Sequence, residues 1–203
     1  MIDRMKRSAE LISFDLTYKH DGLVIAGMDE VGRGPLAGPV VTACVIMPET
    51  PVILWVDDSK KLSESRRERT YDEIVSAALH IGIGLVAPEE IDRINILEAT
   101  RKAMREAASA VPADIFLIDA VTSLGLNGQE IPIIKGDATS YAIAAASIVA
   151  KVTRDRLMAE YHRIYPQYGF DRNKGYGTKE HIEALKSYGP CPIHRRSFIG
   201  HFV

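Results

Sequence analysis

Four carboxylates are placed where they could do chemistry: Asp29, Glu30, Asp119 and Asp137. Each follows a short apolar run (Leu23–Gly27, Asp114–Ile118 and Ile131–Gly136) whose length and Gly/Pro boundaries read as a strand. Strand ends are where a rigid scaffold presents reactive groups. Acids gathered this closely repel one another unless cations neutralise them. A donor set made only of oxygen selects hard ions, Mg²⁺ or Mn²⁺, over zinc. Two such ions roughly 4 Å apart would clamp the attacking and leaving oxygens of an in-line displacement at phosphorus. Any one of these acids would also suit a solvated turn or a helix cap. Three strand-end positions together point to a shared task, metal-dependent phosphoryl hydrolysis on nucleic acid.

The segment after Glu30 supports that direction. Gly32-Arg33-Gly34-Pro35-Leu36-Ala37-Gly38 resembles a phosphate loop, yet its third glycine is one residue off the dinucleotide spacing and an apolar strand follows it. The chain also lacks a Walker lysine here. What remains is a tight turn of backbone amides around Arg33, able to approach a sugar–phosphate chain closely; a plain hairpin connection is the simpler use. Lys60 and Lys61 lie in another loop. Tyr176 sits between two glycines, where it could stack on a sugar or base or simply pack at a helix start. His194-Arg195-Arg196 would bind phosphate or form a solvated tail. None of the six histidines has an evident triad or metal partner.

The positioning elements follow from periodicity. Residues 1–22 are a lead-in helix or ordered tail. Strands are expected at Leu23–Gly27, Val40–Met47, Val52–Trp55, Ile81–Val86 (weakened by glycines), Asp114–Asp119 and an edge run from Ile131. Ser63 is an N-cap for a helix to about Leu79 with Tyr71, Ile74, Val75 and Ala78 on one face. Pro88 opens a helical region whose period runs through Ile94, Leu97, Met104, Ala108 and Val111. A long alanine-rich helix runs from Ser140 to about Ile164, residues 169–177 are a polar loop, and Thr178 caps a last helix to about Ser187. This is an α/β protein with a mixed central sheet flanked by helices. A single domain spans 1–203, with a core over about 1–165 and a small helical, basic extension over about 166–203.

Composition narrows the class. The chain has 203 residues, 46% hydrophobic and 26% charged, and its net charge of −2 is unevenly spread. Residues 151–203 carry ten Lys/Arg against five Asp/Glu, a basic segment suited to a polyanion. Two cysteines, Cys44 and Cys191, make neither a disulfide framework nor a zinc spacing. The longest apolar stretch, Ala142–Ala150, is too short to cross a bilayer, so no membrane partner is expected. With no apolar signal core at the N-terminus, a cytoplasmic location is the expectation.

Read in order, Asp29-Glu-Val-Gly-Arg-Gly34, Asp58-Ser-Lys-Lys-Leu62, Leu117-Ile-Asp-Ala120, Lys135-Gly-Asp137, Ala145–Asp155, Lys174-Gly-Tyr-Gly-Thr178 and His194-Arg-Arg-Ser-Phe198 resemble bacterial ribonuclease HII over nearly the whole chain. The resemblance implies a ribonuclease H-like fold with a helical C-terminal extension. It implies an endonuclease that cuts the RNA strand of RNA–DNA hybrids, including 5′ of single ribonucleotides in duplex DNA, leaving 3′-hydroxyl and 5′-phosphate ends. Asp29, Glu30, Asp119 and Asp137 match the family's metal-binding catalytic acids, which work with two Mg²⁺ or Mn²⁺ ions. Gly32, Arg33 and Gly34 match the loop that reads the ribose 2′-hydroxyl. Tyr176 matches the residue that recognises the ribonucleotide–deoxyribonucleotide junction, and Lys60 and Lys61 match a motif of substrate contacts. A monomer is expected, without a visible tail for docking on a sliding clamp. The rival expectations are a DNA strand transferase or resolvase on a related fold, and a non-catalytic hybrid-binding module.

Overall fold

The computed structural model describes residues 2–20 and 22–203. Its centre is β1 (Ile25–Val31), paired antiparallel with β2 (Val40–Ile46) on one side and parallel with β4 (Ile115–Asp119) on the other. The sheet is closed at its edges by β3 (His80–Val86), antiparallel to β2, and β5 (Gln129–Ile133), parallel to β4, giving the order β3-β2-β1-β4-β5. Every residue of β2 is buried, Thr42 and Cys44 included, as expected of a largely apolar strand between two neighbours and under helices on both faces.

One face is covered by α5 (Tyr141–Ile164), with Ser140 as its N-cap accepting from the Ile143 amide. The alanines from Ala142 to Ala150 bring its axis close to the strands. Contact is so close at Gly27 that a Cβ there would run into the Ala142 backbone. The opposite face carries α4 (Ile96–Ser109), which sits on β3 through Gly82 and Gly84, where a Cβ would strike the carbonyl oxygens of Ala107 and Ala103. The glycines of β3, which weaken it as a strand by local preference, are therefore its packing surface.

Residues 2–16 form α1, docked on the start of α5 by Asp15, whose Oδ2 accepts from the Ala142 amide at 2.9 Å. Ser63 caps α2 (Glu64–Ala77). The helical region from Pro88 divides into α3 (Pro88–Ile94) and α4 at Asn95, which has φ +68° and accepts the Leu97 and Glu98 amides on its side chain. Residues 166–203 add α6 (Phe170–Asn173), α7 (Lys179–Tyr188) and α8 (Arg196–Ile199). Their apolar residues pack with Met158 of α5 and with Leu36 and Ala37 of the glycine loop.

Several expectations change. Val52–Trp55 is a turn rather than a strand, held by the Ile53 amide on the Tyr141 hydroxyl at 2.8 Å. Val75 and Leu97 face solvent. The 169–177 loop contains a helical turn, and the tail after Pro190 is anchored, with His194 and Arg195 buried. Among the described residues, no helix is long and apolar enough to cross a membrane.

Candidate active site

β1 extends past the apolar run, so Asp29 and Glu30 lie inside the strand rather than after it. Pairing with β2 prolongs it: Asp29 faces Ala43 and Glu30 faces Thr42 across that ladder. Adjacent residues of a strand point to opposite faces, which separates the two acids. The parallel register Met28↔Ile118, carried one residue further, sets Asp29 beside Asp119 at the end of β4. Asp137 arrives from the next parallel strand, in the 3-10 turn Gly136–Ala138 that follows β5. Carboxylate oxygens of Asp29, Asp119 and Asp137 all lie within 4.8 Å of one another.

Local hydrogen bonds aim the group. The Glu30 amide donates to Asp29 Oδ1 at 2.7 Å and the Gly136 amide to Asp119 Oδ1 at 2.8 Å. Burial, reinforced by the charges of Glu30 and Asp119, holds the Asp29 carboxyl well above the usual range. Burial likewise raises Asp119, against the pull of the Gly136 amide and with the charge of Asp137 adding to it. Burial raises Glu30 too, although Arg33 opposes it. Glu30 stands outside the three-oxygen set, ion-paired to Arg33 at 3.4 Å, with its Oε2 buried and unpartnered. Three converging oxygens, one unpartnered oxygen on a fourth acid and no nitrogen or sulfur donor fit a hard divalent cation.

Lys60 projects into this group, its Nζ 3.1 Å from Asp137 Oδ2, while Lys61 turns away to 3.9 Å from Asp58. The 3-10 turn Ser59–Lys61 that aims Lys60 is built locally and from α2 and α5. Asp58 accepts the Lys60 amide, Arg67 donates to the carbonyls of Ser59 and Leu62, and Ser59 Oγ meets Ser147 Oγ at 2.8 Å. Burial lowers the Lys60 ammonium but the bond and charge of Asp137 outweigh it, so its pKa is raised.

Behind the glycine loop stand two arginines, Arg154 of α5 and Arg195, both 0% exposed. Arg154 donates to the carbonyls of Pro39 (2.9 Å), Lys174 (2.8 Å) and Ala37 (3.0 Å). Arg195 donates to those of Gly38 (2.7 and 2.9 Å), Arg33 (3.0 Å) and Gly32 (2.5 Å). The loop thus turns its carbonyls inward onto two guanidiniums. The amides of Gly32, Arg33 and Gly34 make no hydrogen bond among the described residues. Burial pushes both guanidiniums down, Arg154 to about 10 and Arg195 to about 9. Gly32 has φ +94°, and a Cβ there would collide with the Arg154 side chain, so this position requires glycine.

Tyr176 is 43% exposed, and its Cε1 lies 3.9 Å from where a Gly34 Cβ would stand. It is a surface ring bordering the loop and not a packing residue. Sequence reasoning missed Arg154 and gave Arg195 a phosphate-binding or solvated role, whereas it is buried on the carbonyls of the loop. For Arg154 a signal existed: it falls four residues after Ala150 and four before Met158, in phase with the buried face of α5.

A mixed sheet in this strand order, with a carboxylate cluster at the ends of its parallel strands, places the protein in the ribonuclease H-like class. Solved structures share the fold. The ribonuclease H2 of Pyrococcus horikoshii OT3 aligns with a TM-score of 0.72 and 29% identity over 85% of this chain and 92% of its own. The structure of the PCNA:RNase HII complex from Archaeoglobus fulgidus contains a chain that aligns at 0.76 and 28% identity, over 86% of this chain and 94% of that one. The Ribonuclease HII family model matches residues 26–201. Ribonuclease HII of Caldanaerobacter subterraneus subsp. tengcongensis is 54% identical over 198 residues, 96% of this chain and 82% of that protein. The chain belongs to the ribonuclease HII family and is a ribonuclease H enzyme.

Proposed function

We propose that Asp29, Asp119 and Asp137, with Glu30 beside them, hold the divalent cations with which this enzyme hydrolyses the RNA strand of RNA–DNA hybrids, and that it also cuts 5′ of single ribonucleotides in duplex DNA. The observation that carries this reading is the convergence of three carboxylate oxygens within 4.8 Å, at the end of β1 that leads into the glycine loop. A divalent cation bound there supplies water activation and stabilises charge on the departing oxygen. The chain's own groups do the rest. Burial and neighbouring carboxylates disfavour the charged forms of Asp29, Glu30 and Asp119, a cost that a divalent cation would relieve. Lys60 keeps a positive charge beside Asp137, where a phosphate oxygen would need one. The unspent amides of Gly32, Arg33 and Gly34 suit a ribose hydroxyl, and Tyr176 presents a ring for stacking on the adjoining sugar. Arg33, tied to Glu30, links the reading loop to the acids.

The test is a DNA duplex holding one ribonucleotide, incubated with Mg²⁺ or Mn²⁺ and mapped to the nucleotide. The expected product is a single cut 5′ of the ribonucleotide with 3′-hydroxyl and 5′-phosphate ends. Cleavage of an all-DNA duplex at a comparable rate would overturn it in favour of a strand-transferase chemistry. No product with either metal would reduce the protein to a binding module.

A further inference from the structure

Two buried histidines connect the C-terminal segment to Tyr176. The Cys191 amide donates to His194 Nδ1 at 3.0 Å, His194 Nε2 lies 3.0 Å from His181 Nε2, and His181 Nδ1 lies 2.8 Å from the Tyr176 carbonyl oxygen. His181 is 0% and His194 2% exposed. An amide N–H can only donate and a carbonyl only accept, so both ends of this chain are determined. His194 therefore accepts on Nδ1 and donates from Nε2, and His181 accepts on Nε2 and donates from Nδ1. One tautomer of each neutral ring satisfies every contact. The rings are fixed by aromatic neighbours, His194 edge-on to Tyr168 at 4.8 Å between centroids and His181 edge-on to Phe170 at 5.3 Å.

The next residue in the chain works on the other side. His194 bridges Ala37 in antiparallel fashion, the Arg195 amide donates to the Leu36 carbonyl and the Gly38 amide to that of Ile193. On extended backbone, consecutive side chains point opposite ways. Arg195 turns to the carbonyls of Gly32, Arg33 and Gly38, and His194 turns to His181 and, through it, to Tyr176.

We propose that His194–Arg195 is a two-sided positioning element, in which His194, acting through His181, sets Tyr176 against the glycine loop that Arg195 holds, so that discrimination of a ribonucleotide junction depends on this histidine pair. The proposal rests on the reading of Tyr176 and the loop as the ribose-recognising surface. Neither histidine touches substrate; each acts through Tyr176.

The experiment measures kcat/KM of the full chain with Mn²⁺ on two substrates, a DNA duplex with one ribonucleotide and an RNA–DNA hybrid of the same sequence, and takes the ratio. The variants are Tyr176→Ala, His194→Leu, His194→Gln, His181→Asn and the double variant Tyr176→Ala/His194→Leu. Misplacing a recognition group by about 1 Å can cost on the order of a hundredfold, so Tyr176→Ala and His194→Leu are each expected to lower the ratio about ten- to a hundredfold. His194→Gln keeps a donor facing His181 and is expected to restore most of it. In the Tyr176→Ala background, His194→Leu should lower the ratio no further, since residues acting through one another are not additive. Should His194→Leu fail to fold, His181→Asn serves instead; it retains a donor to the Tyr176 carbonyl, breaks the link to His194 and is expected to lower the ratio. An unchanged ratio in His194→Leu, or an additive loss in the double variant, with Tyr176→Ala still impaired, overturns the relay alone. An unchanged ratio in Tyr176→Ala overturns the reading of the tyrosine and the relay with it.

Discussion

Lys60 Nζ lies 3.1 Å from Asp137 Oδ2, the one ion pair made by the three clustered aspartates among the described residues. The lysine side chain is largely in solvent and the aspartate is buried. A cation entering the cluster therefore competes with a tethered ammonium. Exposed pairs of this kind are worth up to about 1 kcal/mol. Lys60→Ala is expected to tighten Mn²⁺ binding by about two- to fivefold in calorimetric titration without substrate. Weaker binding in the variant would show that the lysine assists the cation instead.

Asp29 and Asp119 are held above their ordinary pKa by burial and by neighbouring carboxylates, Glu30 and Asp119 acting on Asp29 and Asp137 on Asp119. Asn at either position removes a charge that the cluster repels. Asp29→Asn and Asp119→Asn should each lose at least about a thousandfold in cleavage, as expected where the group acts as a unit. Each should also unfold at a higher temperature than the parent in the presence of a chelator, by about 2–4 °C per kcal/mol relieved. Near-parental turnover by Asp119→Asn with Mg²⁺ or Mn²⁺ present would overturn its assignment.

Two buried groups away from the acids give opposite pH dependences. Burial pushes Asp15 up to about 6, although it accepts hydrogen bonds at the start of α5. Its contribution to stability is full below an ordinary pKa near 3.8 and is lost as pH rises through 6. Burial, with the neighbouring His181, lowers His194 to about 4. Its contribution is full above an ordinary 6.5 and is lost as pH falls toward 4, on the order of 3 kcal/mol over that window. Urea unfolding at pH 4.5, 5.5 and 7.0 checks both. His194→Gln should flatten the acid-side loss, and Asp15→Asn should gain stability relative to the parent between pH 5 and 7.

Arg195 satisfies the carbonyls of Gly32, Arg33 and Gly38 with one planar fork. Arg195→Lys keeps the charge but offers a single ammonium in place of that fork. At least one buried carbonyl is then left unpaired, at about 1–3 kcal/mol. The expected result is a melting temperature lower by several degrees, with cleavage of the single-ribonucleotide duplex falling more than the stability loss explains at 25 °C. A variant that folds and cleaves like the parent would show that the loop holds its shape unaided.

Much of the site was legible along the chain. Asp119 and Asp137 follow apolar runs that form β4, parallel to β1, and β5, parallel to β4, and Ser63 and Thr178 cap the helices they were expected to cap. Lys60 and Lys61 could not be told apart, because what separates them is the direction of a single 3-10 turn held by Arg67 and Ser147. The pairing of His181 with His194 left no local signal, because their hydrogen-bond partners are each other and two backbone groups.

What the sequence by itself determined are the features written in local order: the periods of strands and helices, the caps, the acids after apolar runs, and the ordered motifs that mark the family. These depend on residues within a few positions of one another, so the chain displays them without folding. Tertiary structure alone decided that Glu30 leaves the three-oxygen set, because pairing with β2 carries β1 through Val31 and the strand's alternation turns Asp29 and Glu30 apart. It also decided that Arg154 and Arg195 serve the glycine loop. A guanidinium that binds carbonyl oxygens more than a hundred residues away has partners common to every residue, and only the packing of α5 and the C-terminal segment against Gly32–Pro39 selects which ones.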